Sequence, residues 1–297
     1  MAKKFYYGGQ AVIEGVMMRG RKAAVTTVRL SSGELITDIQ TLSPIYTGKL
    51  RNIPLLRGVI VLIEATVLGI KTMLFSASMA MKEEDGEEVS SKSIWGIMAI
   101  ALLMVVALFF VAPLFITRLA NDYLQSSILF NLVEGLVRLA IFIIYLKVIS
   151  SMSDIKRVFA YHGAEHKAVN ALEAGEPLEV AAVKKYSTTH VRCGTSFLFA
   201  VLVIAIIVFA LIGRPALWVM VLSRILLVPV IAALGYEVTY LGARHVKNRL
   251  VRMVLAPGLA MQALTTREPD DSQIEVALAS LRKAVELDEA PVITASV

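Results

Sequence analysis

Thr195-Ser-Phe-Leu-Phe-Ala-Val-Leu-Val-Ile-Ala-Ile-Ile-Val-Phe-Ala-Leu-Ile212 carries no charged side chain and follows directly on His190-Val-Arg-Cys193-Gly194. A membrane-crossing helix needs roughly 20 mostly apolar residues, and this run comes close to that length. Three more apolar stretches lie in the chain: 94–116, with Pro113 near its end; 127–149, with Glu134 and Arg138 at i,i+4; and 216–240, with Arg224 near its middle and Glu237 near its exit. Taken alone, 127–149 and 216–240 would suit buried helices of a soluble core. Four such stretches together, two of them nearly free of charge, point to a membrane domain. The expected fold is an α-helical polytopic membrane protein. It has about four transmembrane helices, an interfacial or re-entrant helix, and a small N-terminal β-hairpin region on the cytoplasmic side.

Composition agrees. The 297 residues are 57% hydrophobic with a mean hydropathy of +0.69, too apolar for an ordinary soluble enzyme. The net charge of +6 gathers near the ends of the apolar runs, with no dense Lys/Arg tract interleaved with aromatics. Nucleic acid is therefore not an expected partner, whereas the lipid bilayer is. Lys147 ends the second run, Lys156, Arg157, Lys184, Lys185 and Arg192 lie between it and the third, and Arg244, Lys247, Arg249 and Arg252 follow the fourth. The excess of cations on these segments places them, and both termini, in the cytoplasm. Residues 1–10 carry charge but no apolar core, so no cleavable leader is expected.

The remaining segments divide by character. Residues 1–53 read as soluble, with Ala24–Leu30 and Leu35–Leu42 as a hairpin around Gly33. The glycine-rich 8–20 stretch ahead of it reads either as turns or as a site lined by Gln10, Glu14 and Arg19. Residues 54–81 form an amphipathic helix with Arg57, Glu64 and Lys71 spaced seven apart as one polar stripe, interfacial or re-entrant rather than spanning. An acidic loop follows at 82–92. Residues 94–149 and 195–240 are two helical pairs, and 150–194 is a cytoplasmic His/Cys segment between them. Residues 241–297 end in an amphipathic helix, apolar at Ile274, Leu278, Leu281 and Val285. Glu134 and Arg138 are expected to neutralise each other, with Arg224 pairing elsewhere in the bundle.

The 150–194 segment holds three of the four histidines and the single cysteine. His162 and His166 at i,i+4 face one way on a helix, as for one zinc ion, and Glu165 leans over the same face. His-x-x-Glu-His is the inverted zinc-peptidase helix, with the glutamate as base. His190 and Cys193 at i,i+3 supply further ligands. If all four bind, the site is closed and structural; if three bind, a water takes the last position and Glu165 deprotonates it. Glu237 and Glu173 are candidates for a remote ligand or a group that orients one.

Gly9-Gln-Ala-Val-Ile-Glu14-Gly-Val-Met-Met-Arg19, Tyr161-His162-Gly-Ala-Glu165-His166-Lys167, His190-Val-Arg-Cys193-Gly-Thr-Ser196 and Thr265-Thr-Arg267-Glu-Pro269 together resemble the YqhQ-like bacterial membrane protein family. The resemblance spans about residues 8–288. It implies a metal-dependent enzyme of the bacterial cytoplasmic (inner) membrane and names no substrate; Arg267 enters the candidate site through it. The expectation is a zinc hydrolase (or one using another divalent transition metal) at the cytoplasmic face. Glu165 would be its base, and its substrate or protein partner membrane-associated, with self-association left open. The alternative is a non-enzymatic scaffold or regulator with a structural zinc site.

Overall fold

The computed structural model describes residues 5–85 and 91–290. The chain opens as a four-stranded antiparallel meander: β1 (Gly8–Val12), β2 (Gly15–Arg19), β3 (Ala23–Arg29) and β4 (Leu35–Thr41), in the order β1-β2-β3-β4. The expected hairpin is β3–β4, pairing Arg29 with Leu35 around Gly33, whose φ of +88 favours glycine. The glycine-rich stretch before it is a second hairpin, with Val12 opposite Gly15. Alternation fixes the register. Val16, Met18 and Val25 join one buried cluster, while Met17 and Ala24 join another on the opposite face.

After a short α1 (Pro44–Thr47) and a 3-10 turn (Lys49–Asn52), the chain is helical: α2 (Leu56–Asp85), α3 (Ser91–Val106), a π-helical turn (Ala107–Val111), α4 (Ala112–Leu119), α5 (Ser127–Ile149), α6 (Ser153–Ala174), α7 (Val180–Val183), α8 (Gly194–Ile212), α9 (Leu217–Leu226), α10 (Val228–Arg244), α11 (Arg249–Thr265) and α12 (Asp271–Glu289). Among the described residues, Leu56–Lys82, Gly96–Leu119 and Gly194–Ile212 are long and apolar enough to cross a membrane. The pair α9–α10, bent by 46°, makes a fourth if it is one span. Pro229, in the first turn of α10, lacks the N–H that would continue α9. The expected span 127–149 forms α5 but is outside that set. Of the acidic stretch, Lys82–Asp85 closes α2 and 86–90 lie outside the described residues.

The sheet is covered on both faces. α12 and α6 lie on one, where Ile274, Leu278 and Leu281 pack with Tyr161, Ala164 and Ala168 against Val16, Met18 and Val25. Asp270 and Gln273 make a reciprocal capping box at the start of α12, and Ser280 Oγ donates to Val25 O at 2.7 Å. α2 lies along the other face. Glu64, Leu68, Thr72 and Ser76, one helical turn apart, are its buried stripe. Arg19 donates to Glu64 at 2.9 Å, Gln10 Nε2 to Thr72 Oγ1 at 2.7 Å, and the Ile13 amide to Ser76 Oγ at 3.3 Å. The single polar stripe expected at Arg57, Glu64 and Lys71 is therefore divided. Glu64 faces the sheet, Arg57 pairs with Glu237 of α10, and Lys71 is exposed.

The other helices bury charge and expose hydrocarbon. Ile97, Ile100, Leu102, Leu103 and Met104 of α3 are each more than 60% exposed, whereas Glu134, Arg138 and Arg224 are 5% or less. Arg224 does not pair elsewhere. It shares the Glu134 carboxylate with Arg138 and also donates to Asn131. Arg138 Nε donates to Phe109 O at 2.9 Å. The helical partner of that carbonyl would be the amide of residue 113, which is proline, so Arg138 replaces the bond that Pro113 lacks. Removing Glu134 leaves two buried guanidinium groups without their anion. Glu134→Leu is expected to cost about 3–5 kcal/mol, against under about 0.5 kcal/mol for Lys283→Ala at an exposed pair, read as unfolding midpoints in one detergent.

Candidate metal centre

α6 carries two functions on two faces. Tyr161, Ala164 and Ala168 face the sheet core, while His162 and His166 are turned toward the start of α8. The helix ends at Gly175 in the left-handed conformation, φ +80. Close approach of the neighbouring chain needs Gly163, because a Cβ there would lie 2.1 Å from Arg267 O. That approach also brings the Arg267 amide to Phe159 O at 2.9 Å and Thr265 O to His162.

His162 Nδ1 donates to Thr265 O at 2.8 Å, and His166 Nδ1 donates to Thr188 O at 2.6 Å. A carbonyl only accepts, so both rings carry a proton on Nδ1 and turn Nε2 inward. Metal-bound histidines are oriented in this way. Cys193 is the N-cap of α8, its sulfur accepting from the Thr195 amide at 3.3 Å. His162 Nε2 lies 3.4 Å from Cys193 Sγ, and the ligand atoms of His162, His166 and Cys193 all fall within 4.8 Å of one another.

His166 Nε2 is buried with no hydrogen-bond partner. Glu165 Oε2 lies 3.5 Å away, outside hydrogen-bonding geometry, and Glu165 is 4% exposed. A buried ring nitrogen without a hydrogen bond thus faces a carboxylate, an arrangement that a bound cation would satisfy. The donor set of two imidazoles, one cysteine sulfur and a nearby carboxylate suits zinc or a similar divalent ion. A cleft of about 40 Å³ opens onto these groups, lined across from α6 by Tyr7, Gly8 and Gly9.

His190 lines the same cleft but stands outside the three-residue group. Its Nε2 is 3.4 Å from Arg192 and 3.7 Å from Glu173, which itself pairs with Arg192. Burial pushes the His190 pKa down, with Glu165 opposing, so the ring is neutral. The second-tier residues are not at the centre. Glu237 pairs with Arg57, Glu14 with Arg157, and Arg19 with Glu64; Arg267 bonds the carbonyls of Ala263 and Thr266. Gln10 bonds Thr72, although its neighbour Gly9 lines the cleft.

Sequence reasoning missed the supports. Asn170, one turn beyond His166, donates to Ser187 O and Thr189 O at 3.0 Å and so holds the loop that presents Thr188 O. Gln262 accepts from the His190 amide at 2.9 Å and donates to His190 O and Ser196 Oγ. A single Asn or Gln in a helix carries no sequence signal for such a role, and backbone carbonyls carry none at all.

The family described as "Protein of unknown function (DUF1385)" matches residues 53–287. "Uncharacterized protein YqhQ" of Bacillus subtilis (strain 168) is 33% identical over 297 residues, covering 95% of this chain and 93% of that protein. No solved structure matches. The chain belongs to the DUF1385 family.

Gln262→Leu strands the His190 backbone groups and Ser196 Oγ. The expected loss is about 1–3 kcal/mol for each group left unpaired. It would be read as a lower unfolding midpoint together with faster hydrogen exchange of the His190 amide.

Proposed function

We propose that this DUF1385 protein is a membrane-embedded, metal-dependent hydrolase acting at the cytoplasmic face. His162, His166 and Cys193 would hold zinc or another divalent transition metal, and Glu165 would be the general base. One observation carries the reading: the buried, unpartnered His166 Nε2, aimed at Cys193 and His162 with the Glu165 carboxylate beside it.

The membrane part rests on the inverted burial of the helices, with apolar residues outside and ions inside, as expected where the solvent is hydrocarbon. Basic residues at 244–252 and on the 150–194 segment favour the cytoplasm for the sheet, α6 and α12. α2 would lie at the interface, its buried stripe on the sheet and exposed Ile63 and Met73 toward lipid.

Bound zinc supplies Lewis acidity and brings a water's pKa toward about 7. The chain does the rest. Thr188 O and Thr265 O orient the rings of His166 and His162, and the Thr195 amide at the start of α8 positions the Cys193 sulfur. Glu165, buried beside His166, is the carboxylate placed to accept a proton from the attacking water. The cleft of about 40 Å³ at Gly8 and Gly9 leaves room for a water at these groups.

A second reading is a non-enzymatic scaffold with a structural zinc site. The His190 ring, with its centroid 5.7 Å from that of His166, favours it: one side-chain rotation would add a fourth ligand and close the site.

The two readings separate in one experiment on the purified full-length protein. Wild type is expected to carry about one equivalent of metal. His166→Ala and Cys193→Ser lose it, and Glu165→Gln keeps it. Lipid and peptide profiles of cells relying on Glu165→Gln would then accumulate an uncleaved species absent with wild type. Metal retained in His166→Ala would sink the site, and profiles identical to wild type would leave the scaffold reading standing.

A further inference from the structure

Much of the rim of the metal cleft is bare backbone. Gly8, Gly9 and Gly194 line it without side chains. Gly9 is needed by the sheet itself, since a Cβ there would collide with Met17 O. Gly8 and Gly194 are not needed in that way. Neither has a positive φ, and a Cβ on either would meet nothing within 4 Å. Glycine weakens a strand and marks places where a ligand or another backbone approaches closely.

The same rim is an open sheet edge. In the order β1-β2-β3-β4, β1 has a strand on one side only. The ladder shows which of its backbone groups are free. The Arg29 amide donates to Glu14 O, so Gly15 turns its own N–H and C=O away from β3 and toward β1, where its partner is Val12. Hydrogen-bonded pairs then fall at every second residue: Val12 with Gly15, Gln10 with Met17, and Gly8 with Arg19. Gly9 and Ala11 lie between them and point their N–H and C=O groups outward. Among the described residues no strand pairs with that edge, and Gly9 is exposed.

We infer that β1 takes up an extended peptide as a further strand and lays it across the His162–His166–Cys193 cleft. An extended backbone offers donors and acceptors at the same two-residue repeat as the free groups of Gly9 and Ala11. Gly9 belongs both to the edge and to the cleft lining, so a strand paired there runs past Glu165, His162 and His166. The inference rests on the hydrolase reading for its chemistry and on the sheet edge for its geometry. It narrows the substrate class from any membrane-associated molecule to a polypeptide. Hydrolysis would add one water to an amide of that strand. The water oxygen bonds the carbonyl carbon, the C–N bond breaks, and the proton taken by Glu165 passes to the leaving nitrogen, giving a carboxylate and an amine.

The test uses the full-length protein in nanodiscs of phosphatidylethanolamine and phosphatidylglycerol, with zinc supplied and metal content measured. Backbone hydrogen exchange is read amide by amide. The probe is a mixture of short peptides of randomised sequence, acetylated and amidated at their ends. The control is the same mixture N-methylated at every backbone nitrogen, which cannot donate to a sheet edge. Without peptide, the Gly9 and Ala11 amides are expected to exchange as open backbone and the Gln10 amide far more slowly. The unmodified mixture should slow Gly9 and Ala11 by about tenfold, the scale of one backbone hydrogen bond, and leave Gln10 unchanged. The N-methylated mixture should slow neither. Slow exchange at Gly9 before any peptide is added means that the edge is already taken and overturns the inference. So does equal protection by both mixtures, or no protection by either. Glu165→Gln separates the strand from the chemistry. Peptides cut by wild type, but left whole and still protecting Gly9 in Glu165→Gln, support both. Protection without cleavage in wild type that holds zinc keeps the added strand and sinks the hydrolase reading, so the two failures stay distinct.

Discussion

A polar atom taken out of water must find a partner within the chain or cost several kcal/mol, and that constraint organises this protein. In the apolar bundle it draws Arg138 and Arg224 onto the one carboxylate of Glu134 and sends Arg138 to the carbonyl that Pro113 leaves free. Between sheet and α2 it pairs Arg19 and Arg51 with Glu64, and Gln10 with Thr72. Around α6 it uses the carbonyls of Thr188 and Thr265 to bind the Nδ1 protons of both histidines. Among the described residues, four buried side-chain polar atoms escape. Thr26 Oγ1, Arg29 Nε and Gln40 Oε1 lie in β3 and β4; His166 Nε2 alone stands among ligand groups.

That exception gives the two halves of the chain a reason to meet. α6 belongs by its core contacts to the sheet and α12, and Cys193 belongs to the first turn of the most apolar helix. His162 and His166 reach Cys193 only because Gly163 lets the 265–267 segment press against α6 and because Gln262 fixes His190 ahead of α8. An ion at this point would tie a polar domain to an apolar bundle whatever chemistry it performs. Catalytic and structural uses therefore share the same three ligands and differ in the fourth position.

Much was legible in order along the chain. The β3–β4 hairpin showed in β-branched runs around Gly33, the capped amphipathic α12 in Ile274, Leu278 and Leu281, and the helical i,i+4 pair in His162 and His166. These are local patterns with periods of two or 3.6 residues, set by how side chains leave the backbone. What was misread depended on distant partners. The 8–20 glycines were turns or a site by composition, yet form the β1–β2 hairpin because β2 is buried on both faces. Arg57, Glu64 and Lys71 share a face by spacing, but three different surroundings divide them.

The sequence by itself determined the apolar helices, the mixed character of the chain and the residue types able to hold a metal, because hydropathy and helical periodicity are properties of neighbours. Tertiary structure decided which donors converge. His190 sits closer in sequence to Cys193 than His162 does to His166, yet its ring turns to Arg192 and Glu173, while His162 crosses 31 residues to reach the sulfur. Ring orientation is set by the acceptor each Nδ1 finds, and those acceptors are backbone carbonyls at 188 and 265, which every residue type carries alike.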